Sequence, residues 1–404
     1  MAPNAFAGGC VKNSTPWGGA PATIGGMDEH PSPDPQRPDR LIEQVRAAAA
    51  ARTPLRIVGG DTKAFYGEPV AGEPLFVHEW RGIVSHDPSE LVITVRAGTP
   101  LDEVEAALAQ AGQCLPFDPP RWGEGATIGG AVAAGLAGPA RASVGGVRDF
   151  VLGAQLIDGQ GRWLRFGGQV MKNVAGYDVS RVLAGAMGTL GVITHLSLKV
   201  LPVAPAEATL RFDLDQATAL ELLHRWRGQP LPLNASCWVR DDTSPGRPEC
   251  LFVRLRGAAA AVESACGRLL RDAGGGQRLD AAQVAGDWAD CRDHRLPFFT
   301  PSDPGLCLWR LSVPPTAPVL DLPWAPLVEW HGAQRWLWAP AAAAGEIRAA
   351  CAAVGGHATL FRAGADGASG VPRFPAPDPA VAAITRRLRE AFDPHGIFNP
   401  GRMG

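Results

Sequence analysis

Two glycine-bearing loops hold the residue types best suited to chemistry in this sequence. Between Gly123 and Gly153 the chain reads GEGATIGGAVAAGLAGPARASVGGVRDFVLG, which contains nine glycines. Glycines repeated in this way let successive backbone N–H groups converge on one anion, because no Cβ stands in the way. Upstream, LRIVGGDTKAFYG (Leu55 to Gly67) runs from an apolar strand pattern directly into a glycine pair. There Gly59, Gly60, Asp61, Thr62 and Lys63 offer a backbone cradle backed by a hydroxyl and an ammonium, and Thr127, Gly129, Gly130, Gly135 and Gly138 offer a second one. As a pair the loops favour a nucleotide diphosphate over two ordinary turns. Neither follows the G-x-G-x-x-G fingerprint with its distant acidic residue, and the Gly-Lys-Ser/Thr ending of a Walker loop is missing.

A family resemblance rests on these stretches. GGDTKAFYG (Gly59 to Gly67) and ATIGGAVAAGLAGPARASVGGVRDFVLGAQLIDGQG (Ala126 to Gly161) resemble the FAD-binding domain of the vanillyl-alcohol oxidase and PCMH superfamily. VMKNVAGYDVSRVLAGAMGTLGVIT (Val170 to Thr194) and the terminal FNPGRM (Phe398 to Met403) are similar to the glycolate oxidase family, its E subunit in particular. The likeness covers the chain from near Arg40 to Met403. It implies that the nucleotide is FAD, held by Val58, Gly59, Gly60, Asp61, Thr62, Lys63 and Gly67 of the first loop. From the second stretch it implies Pro120, Thr127, Ile128, Gly129, Gly130, Ala133, Gly135, Gly138, Gly145 and Val147, and further on Gly188, Gly191, Val192, Ile193 and Asn399. Members with covalent flavin attach it through a histidine in the first loop. No histidine lies between Val58 and Gly67, so non-covalent FAD is expected.

The resemblance also implies a complex in which glycolate, a small 2-hydroxy acid, becomes glyoxylate and electrons pass to an acceptor other than oxygen. Its partners there are a D flavoprotein subunit and an iron–sulfur F subunit. Removing hydride from a hydroxy acid requires a cation for the carboxylate and a base for the hydroxyl proton. Arg310, Arg335, Arg362 and His357 are the candidates, with His357 and Arg362 sharing the segment GGHATLFR, and Lys172 is a candidate cation beside a reduced flavin. The histidine-rich, glutamate-containing metal signature of the related D-type dehydrogenases is absent, since His331, His357 and His395 stand isolated, so no metal site is expected. A partner-dependent flavin subunit therefore fits best. The alternatives are an autonomous FAD-linked alcohol or D-2-hydroxy acid dehydrogenase and an assembly subunit with a vestigial nucleotide site.

The elements that must position these residues show in the hydrophobic pattern. A helix capped near Asp39 buries Leu41, Ile42 and Val45; Leu55 to Val58 and Leu91 to Arg96 read as strands, with a helix over Pro100 to Gly112. Val151 to Ile157 and Trp163 to Phe166 form a hairpin, followed by a helix over Asp178 to Ala186 and a strand over Val192 to Val200. Helices are expected over Pro340 to Val354 and Pro379 to Phe392. The fold class is α+β: a tail without structure of its own (1–37), a two-subdomain FAD-binding unit (38–115 and 116–202), an α+β cap (203–330) and a C-terminal segment (331–404) returning to the flavin unit. Trp309, Trp324, Trp330, Trp336 and Trp338 read as core and rim packing.

The 404 residues allow two or three lobes, and a formal net charge of -2 gives no reason to propose nucleic acid as a partner. Eight dispersed cysteines without a C-x-x-C pair argue against a cluster or zinc ribbon. Only four lysines stand among the 38 basic residues, and two of them, Lys63 and Lys172, fall in the candidate cofactor segments. The opening residues lack the pattern of a secretory signal and no apolar run is long enough to span a membrane. A cytoplasmic protein is expected, with any membrane association made through partner subunits.

Overall fold

The computed structural model describes residues 34, 36–168, 178–242, 244–367 and 370–404. The helix Asp39–Ala51 forms where expected, burying Leu41, Ile42, Val45 and Ala48 along one stripe. Asp39 lies inside its first turn rather than capping it, and Arg52 ends it in the left-handed conformation, donating its N–H to Ala48 O and Ala49 O. The chain then runs through the strand Leu55–Val58, which pairs in parallel with Glu73–Phe76.

The flavin-side sheet has five antiparallel strands in the order Ile83–Asp87, Val92–Arg96, Val192–Lys199, Val151–Ile157, Trp163–Gly167. Its strands come from both halves of the stretch 38–202. The expected division at residue 115 is therefore not a division of sheets: Val92–Arg96 pairs with Val192–Lys199 across a hundred residues. The helices Asp39–Ala51 and Leu101–Gln110 give Val45 and Leu108 to the same core as Ile93, Leu156 and Leu196.

The cap is an eight-stranded antiparallel sheet in the order Gln277–Arg278, Ala206–Asp213, Glu249–Gly257, Leu233–Arg240, Leu327–Glu329, Gln334–Ala339, Cys307–Ser312, His357–Arg362. The last three of these strands in sequence include two, Gln334–Ala339 and His357–Arg362, that lie beyond residue 331. The C-terminal return is thus shorter than expected, because strands after 331 complete the cap before the chain leaves it. Pro379–Phe392 forms the expected helix, and Phe392, Ile397 and Phe398 then enter the flavin-side core. Leu55 N–H donates to Ile397 O at 2.7 Å, and Asn399 N–H donates to Leu55 O at 2.9 Å, so the C-terminus lies beside the strand that feeds the first glycine loop.

Only Val179–Val182 is helical within the expected helix Asp178–Ala186. Beyond it Gly185 takes φ +86°, and Gly185 N–H and Met187 N–H donate to Val132 O and Ala133 O. The backbone leaves the helix to satisfy the carbonyls at the end of another, Ile128–Ala134. The cap is tied to the flavin side by Arg254, whose guanidinium reaches Asp118 at 2.9 Å, and by Trp330 Nε1, which donates to Gly138 O at 3.0 Å. All seven described cysteines are free thiols, and no described helix is long and apolar enough to cross a membrane. Trp309, Trp330 and Trp336 are core residues, as read from the sequence.

Candidate cofactor site

The first loop and the second glycine cluster meet in one cleft with about 940 Å³ of free space, its mouth included. Gly59, Gly60, Asp61, Thr62 and Lys63 form one wall, Thr127, Gly129, Gly130 and Ala133 the second, and Gly188, Gly191, Ile193 and Asn399 the third. Residues separated by more than 300 positions thus converge on one space.

The glycines are required by contact. A Cβ on Gly60 would lie 1.9 Å from Gly125 O, and one on Gly59 would lie 2.6 Å from Thr127 Oγ1, so the loops touch backbone to backbone. Gly129 N–H donates to Ala97 O at 2.8 Å, drawing the helix Ile128–Ala134 against the end of the five-stranded sheet. Thr127 caps that helix by accepting from Gly130 N–H at 3.2 Å. A Cβ on Gly130 would meet only Thr127 Oγ1, at 3.1 Å, leaving this stretch of backbone bare towards the cleft. Closely packed loops exposing bare backbone to a roomy cleft match what a dinucleotide needs, so the residues present fit FAD.

Asn399 holds two walls together. Its Oδ1 accepts from Ile57 N–H at 2.8 Å, and its Nδ2 donates to Met187 O at 2.7 Å. A side chain on Gly188 would come within 2.6 Å of Asn399 Nδ2. Arg402 then fixes the first loop, donating to Lys63 O, Ala64 O and Glu68 O at 3.0–3.1 Å.

The charges lining the cleft are unequal in kind. Arg56 pairs with Asp61 at 3.0 Å, and Arg402 is occupied by carbonyls. Lys63 has no carboxylate within ion-pair distance among the described residues. Its Nζ lies 3.4 Å from Thr62 Oγ1 and 3.5 Å from Arg121 O, and stands 5.5 Å from the centre of the Trp122 ring. Burial lowers its pKa to about 8 against the opposing pull of Asp293, so it is a cation at neutral pH that is lost in mild alkali.

The other expected cofactor residues support the cleft from behind. Val58 O accepts from Val77 N–H at 2.8 Å, and Ile128 and Val192 are fully buried. Gly67 (φ +85°) packs on Arg402, Gly135 ends the cleft helix against Gly185, and Gly138 lies against Asp118. Gly145 ends the short helix Arg141–Val144 and Val147 begins the next, away from the cleft lining. Pro120 borders a separate small cavity between the flavin side and the cap.

The catalytic candidates do not converge on the cleft. His357 is exposed at the start of the outermost cap strand, paired with Ser312. Arg335 is buried, and its guanidinium donates to Pro318 O at 2.7 Å, Ala317 O at 2.8 Å and Gly332 O at 3.4 Å, so it ties a loop of the cap. Lys172 lies outside the described residues. No described histidine lines the cleft.

The small interdomain cavity has polar groups that sequence reasoning passed over or left isolated. Arg310 donates to Gln334 Oε1 at 2.7 Å, and the buried Glu329 accepts from Trp336 Nε1 at 2.6 Å and Gln334 Nε2 at 3.0 Å. His294 stacks on Phe299 at 4.0 Å, and burial together with Arg362 and Arg310 holds its pKa well below the ordinary value. Trp122, Trp336 and Phe361 fill most of the space, leaving room for about one water molecule. Nothing in the local sequence around His294 marks it, since its neighbours come from both lobes.

The FAD binding domain family matches residues 34–167. Glycolate oxidase subunit GlcE of Escherichia coli (strain K12) is 47% identical over 364 residues, which span 90% of this chain and 96% of that one. The chain belongs to the GlcE family of glycolate oxidase subunits and, carrying its FAD binding domain, is a flavoprotein. Glycolate oxidase subunit GlcD of Bacillus subtilis (strain 168) is 29% identical over 178 residues, covering 44% of this chain and 38% of that one. In fold the chain also resembles alkyldihydroxyacetonephosphate synthase, with a TM-score of 0.62 over 91% of this chain and 75% of the other at 14% identity.

Proposed function

We propose that this chain is the FAD-holding subunit of a complex that oxidises glycolate to glyoxylate and passes the electrons to an acceptor other than oxygen. It works with a D-type flavoprotein subunit and an F-type iron–sulfur subunit. The observation that carries this reading is the convergence of both glycine loops and Asn399 on one cleft, in a chain similar to GlcE along nearly its full length.

When bound, FAD supplies a two-electron acceptor. The backbone of Gly59–Lys63 and of Gly129–Gly130 would hold it, while Asn399 and Arg402 keep those loops in register. The first loop lacks a histidine, which favours non-covalent binding. Lys63 is a cleft-lining cation with no carboxylate within ion-pair distance among the described residues, so it favours an anionic guest below its pKa of about 8. Replacing Lys63 by methionine is expected to weaken FAD binding by about tenfold at neutral pH, the scale of one charge-assisted hydrogen bond. Wild-type affinity should fall as pH rises through 8, and the variant's should stay level. Fluorescence titration of the ligand-free protein at several pH values checks this.

Partner dependence is favoured by what faces the cleft and what fills the interdomain space. Among the described residues the cleft lacks a histidine or unpaired carboxylate to take a hydroxyl proton, and the aromatic side chains around His294 leave no volume for a hydroxy acid. An absorbance spectrum of the purified chain, before and after anaerobic glycolate, tests the reading. A flavin spectrum that glycolate leaves unchanged until the D-type and F-type subunits are added is the expected result. Bleaching of the isolated chain would establish an autonomous dehydrogenase, and a colourless chain that refuses added FAD would establish an assembly subunit.

A further inference from the structure

The cap sheet presents two faces of different character. Alternate residues of a strand point to opposite sides, so Trp238, Leu251 and Val253 face one way while Cys237, Val239 and Phe252 face the other. The first set packs beneath the helices Gln216–Arg227 and Ala259–Asp272. Over the second set, helix Ala281–Arg292, the turn Pro297–Phe299 and the segment 323–326 stand apart around an open groove with about 2050 Å³ of free space, mouth included. Phe252, Phe298, Trp324 and Trp338 line it and each keeps part of its surface exposed.

The aromatic wall and the charge of the rim select the occupant. Partly exposed tryptophan and phenylalanine are the side chains that anchor protein interfaces. The charged residues of the lining are Arg240, Asp241, Asp242 and Asp287. Arg240 at 3.4 Å and Arg247 at 3.7 Å both face Asp242, and Asp287 has no cation within ion-pair distance among the described residues, so the rim keeps an excess of carboxylates. A second copy of this chain is a poor occupant, because a two-fold contact would set acidic rim against acidic rim.

We propose that the cap groove is the seat of a partner subunit's segment, one that presents a ridge of aliphatic or aromatic side chains flanked by lysine or arginine. This rests on the reading of the chain as a subunit of a glycolate-oxidising complex. The groove lies in the cap, apart from the cofactor cleft, so losing the contact should leave the flavin in place.

The test is assembly of the full flavin-loaded chain with its D-type and F-type subunits, followed by co-elution and by binding titration. Asp287→Lys reverses the exposed rim charge, and Trp324→Glu places a charge on the apolar wall. Each variant is expected to keep its flavin, and Asp287→Lys its melting temperature, while associating about tenfold more weakly or worse, with the Asp287→Lys loss greatest at low salt. Unchanged affinity in both variants overturns the proposal. So does a concentration-dependent dimer of the chain alone that Trp324→Glu dissolves, which would make a second copy the occupant. Failure of the flavin-loaded wild-type chain to assemble with either subunit would instead remove the subunit reading on which the proposal rests.

Discussion

Replacing Gly60 by valine is expected to strip the chain of FAD, weakening binding by about 100-fold, because the added side chain has nowhere to go. Even its Cβ would fall 1.9 Å from Gly125 O, a backbone atom that cannot rotate aside, so the first loop must move off the second and open the cleft. The melting temperature should drop with it, since the loops that separate also pack against the core at Ala126 and Ile128. Gly130→Ala is the matching control. Its Cβ would meet only Thr127 Oγ1, at 3.1 Å, and otherwise points into open cleft. Alanine's better helix propensity, about 1 kcal/mol, is set against the small shift asked of the capping Thr127, so the ligand-free protein should melt close to wild type while FAD binds more weakly. Flavin content after gel filtration and thermal melts of both variants decide this. A yellow Gly60→Val protein with wild-type affinity would remove the loop contact from the account of the site.

The cofactor side of this design was legible because its physics is local. A glycine pair following an apolar strand, or a threonine three residues before a helical glycine, announces close backbone approach wherever it occurs, and both loops proved to face one cleft. The helix Pro379–Phe392 was legible for the same reason, its proline at the first turn and its apolar spacing being written within fourteen residues. What the chain pairs with at a distance was not. The strands Gln334–Ala339 and His357–Arg362 carry patterns that any sheet would accept, and only their partner Cys307–Ser312 assigns them to the cap. Arg335 and His357 looked like a cation and a base by type, yet one side chain is exhausted by three carbonyls and the other lies at an exposed sheet edge. Conversely Arg56 and Arg402, which brace the first loop, have no local signature of a site, because the contacts that define them are made by the fold.

The contacts that dock the cap on the flavin side are polar as well as aromatic. Arg254 is buried with its guanidinium shared between Asn234 Oδ1 at 2.6 Å and Asp118 Oδ2 at 2.9 Å, and it lies 4.9 Å from the Trp288 ring centre. Asp118 belongs to the segment that leads into the second glycine cluster, so the cap reaches the cofactor loops through one buried ion pair. A pair of this kind adds little net stability but is costly to break from one side. Together with the Trp330–Gly138 hydrogen bond it fixes how the cap sits on the flavin side.

The second docking contact makes stability depend on acid. His331 sits on the cap with φ +55°, its Nε2 2.9 Å from Ser143 Oγ on the flavin side and its Nδ1 3.0 Å from Ser236 Oγ. Burial, with a smaller push from Arg227, lowers its pKa from 6.5 to about 4, so the folded protein holds the ring neutral. Between those two values the unfolded chain binds the proton and the folded chain does not. Its contribution is thus complete above pH 6.5 and is lost as pH falls towards 4, amounting to about 3 kcal/mol at the acid end. His294, also held neutral by burial, adds to the slope with the same sign. His331→Asn removes the titration while keeping a donor, an acceptor and a side chain that tolerates the left-handed backbone. Its stability at pH 7 is expected to be lower by about 1–2 kcal/mol, and its loss between pH 6.5 and 4 shallower than wild type by up to one proton's worth. Denaturant unfolding followed by tryptophan fluorescence across that range measures both. Parallel pH profiles for the two proteins would show that the ring is not held neutral at the interface, and that the acid sensitivity of the docked cap has another source.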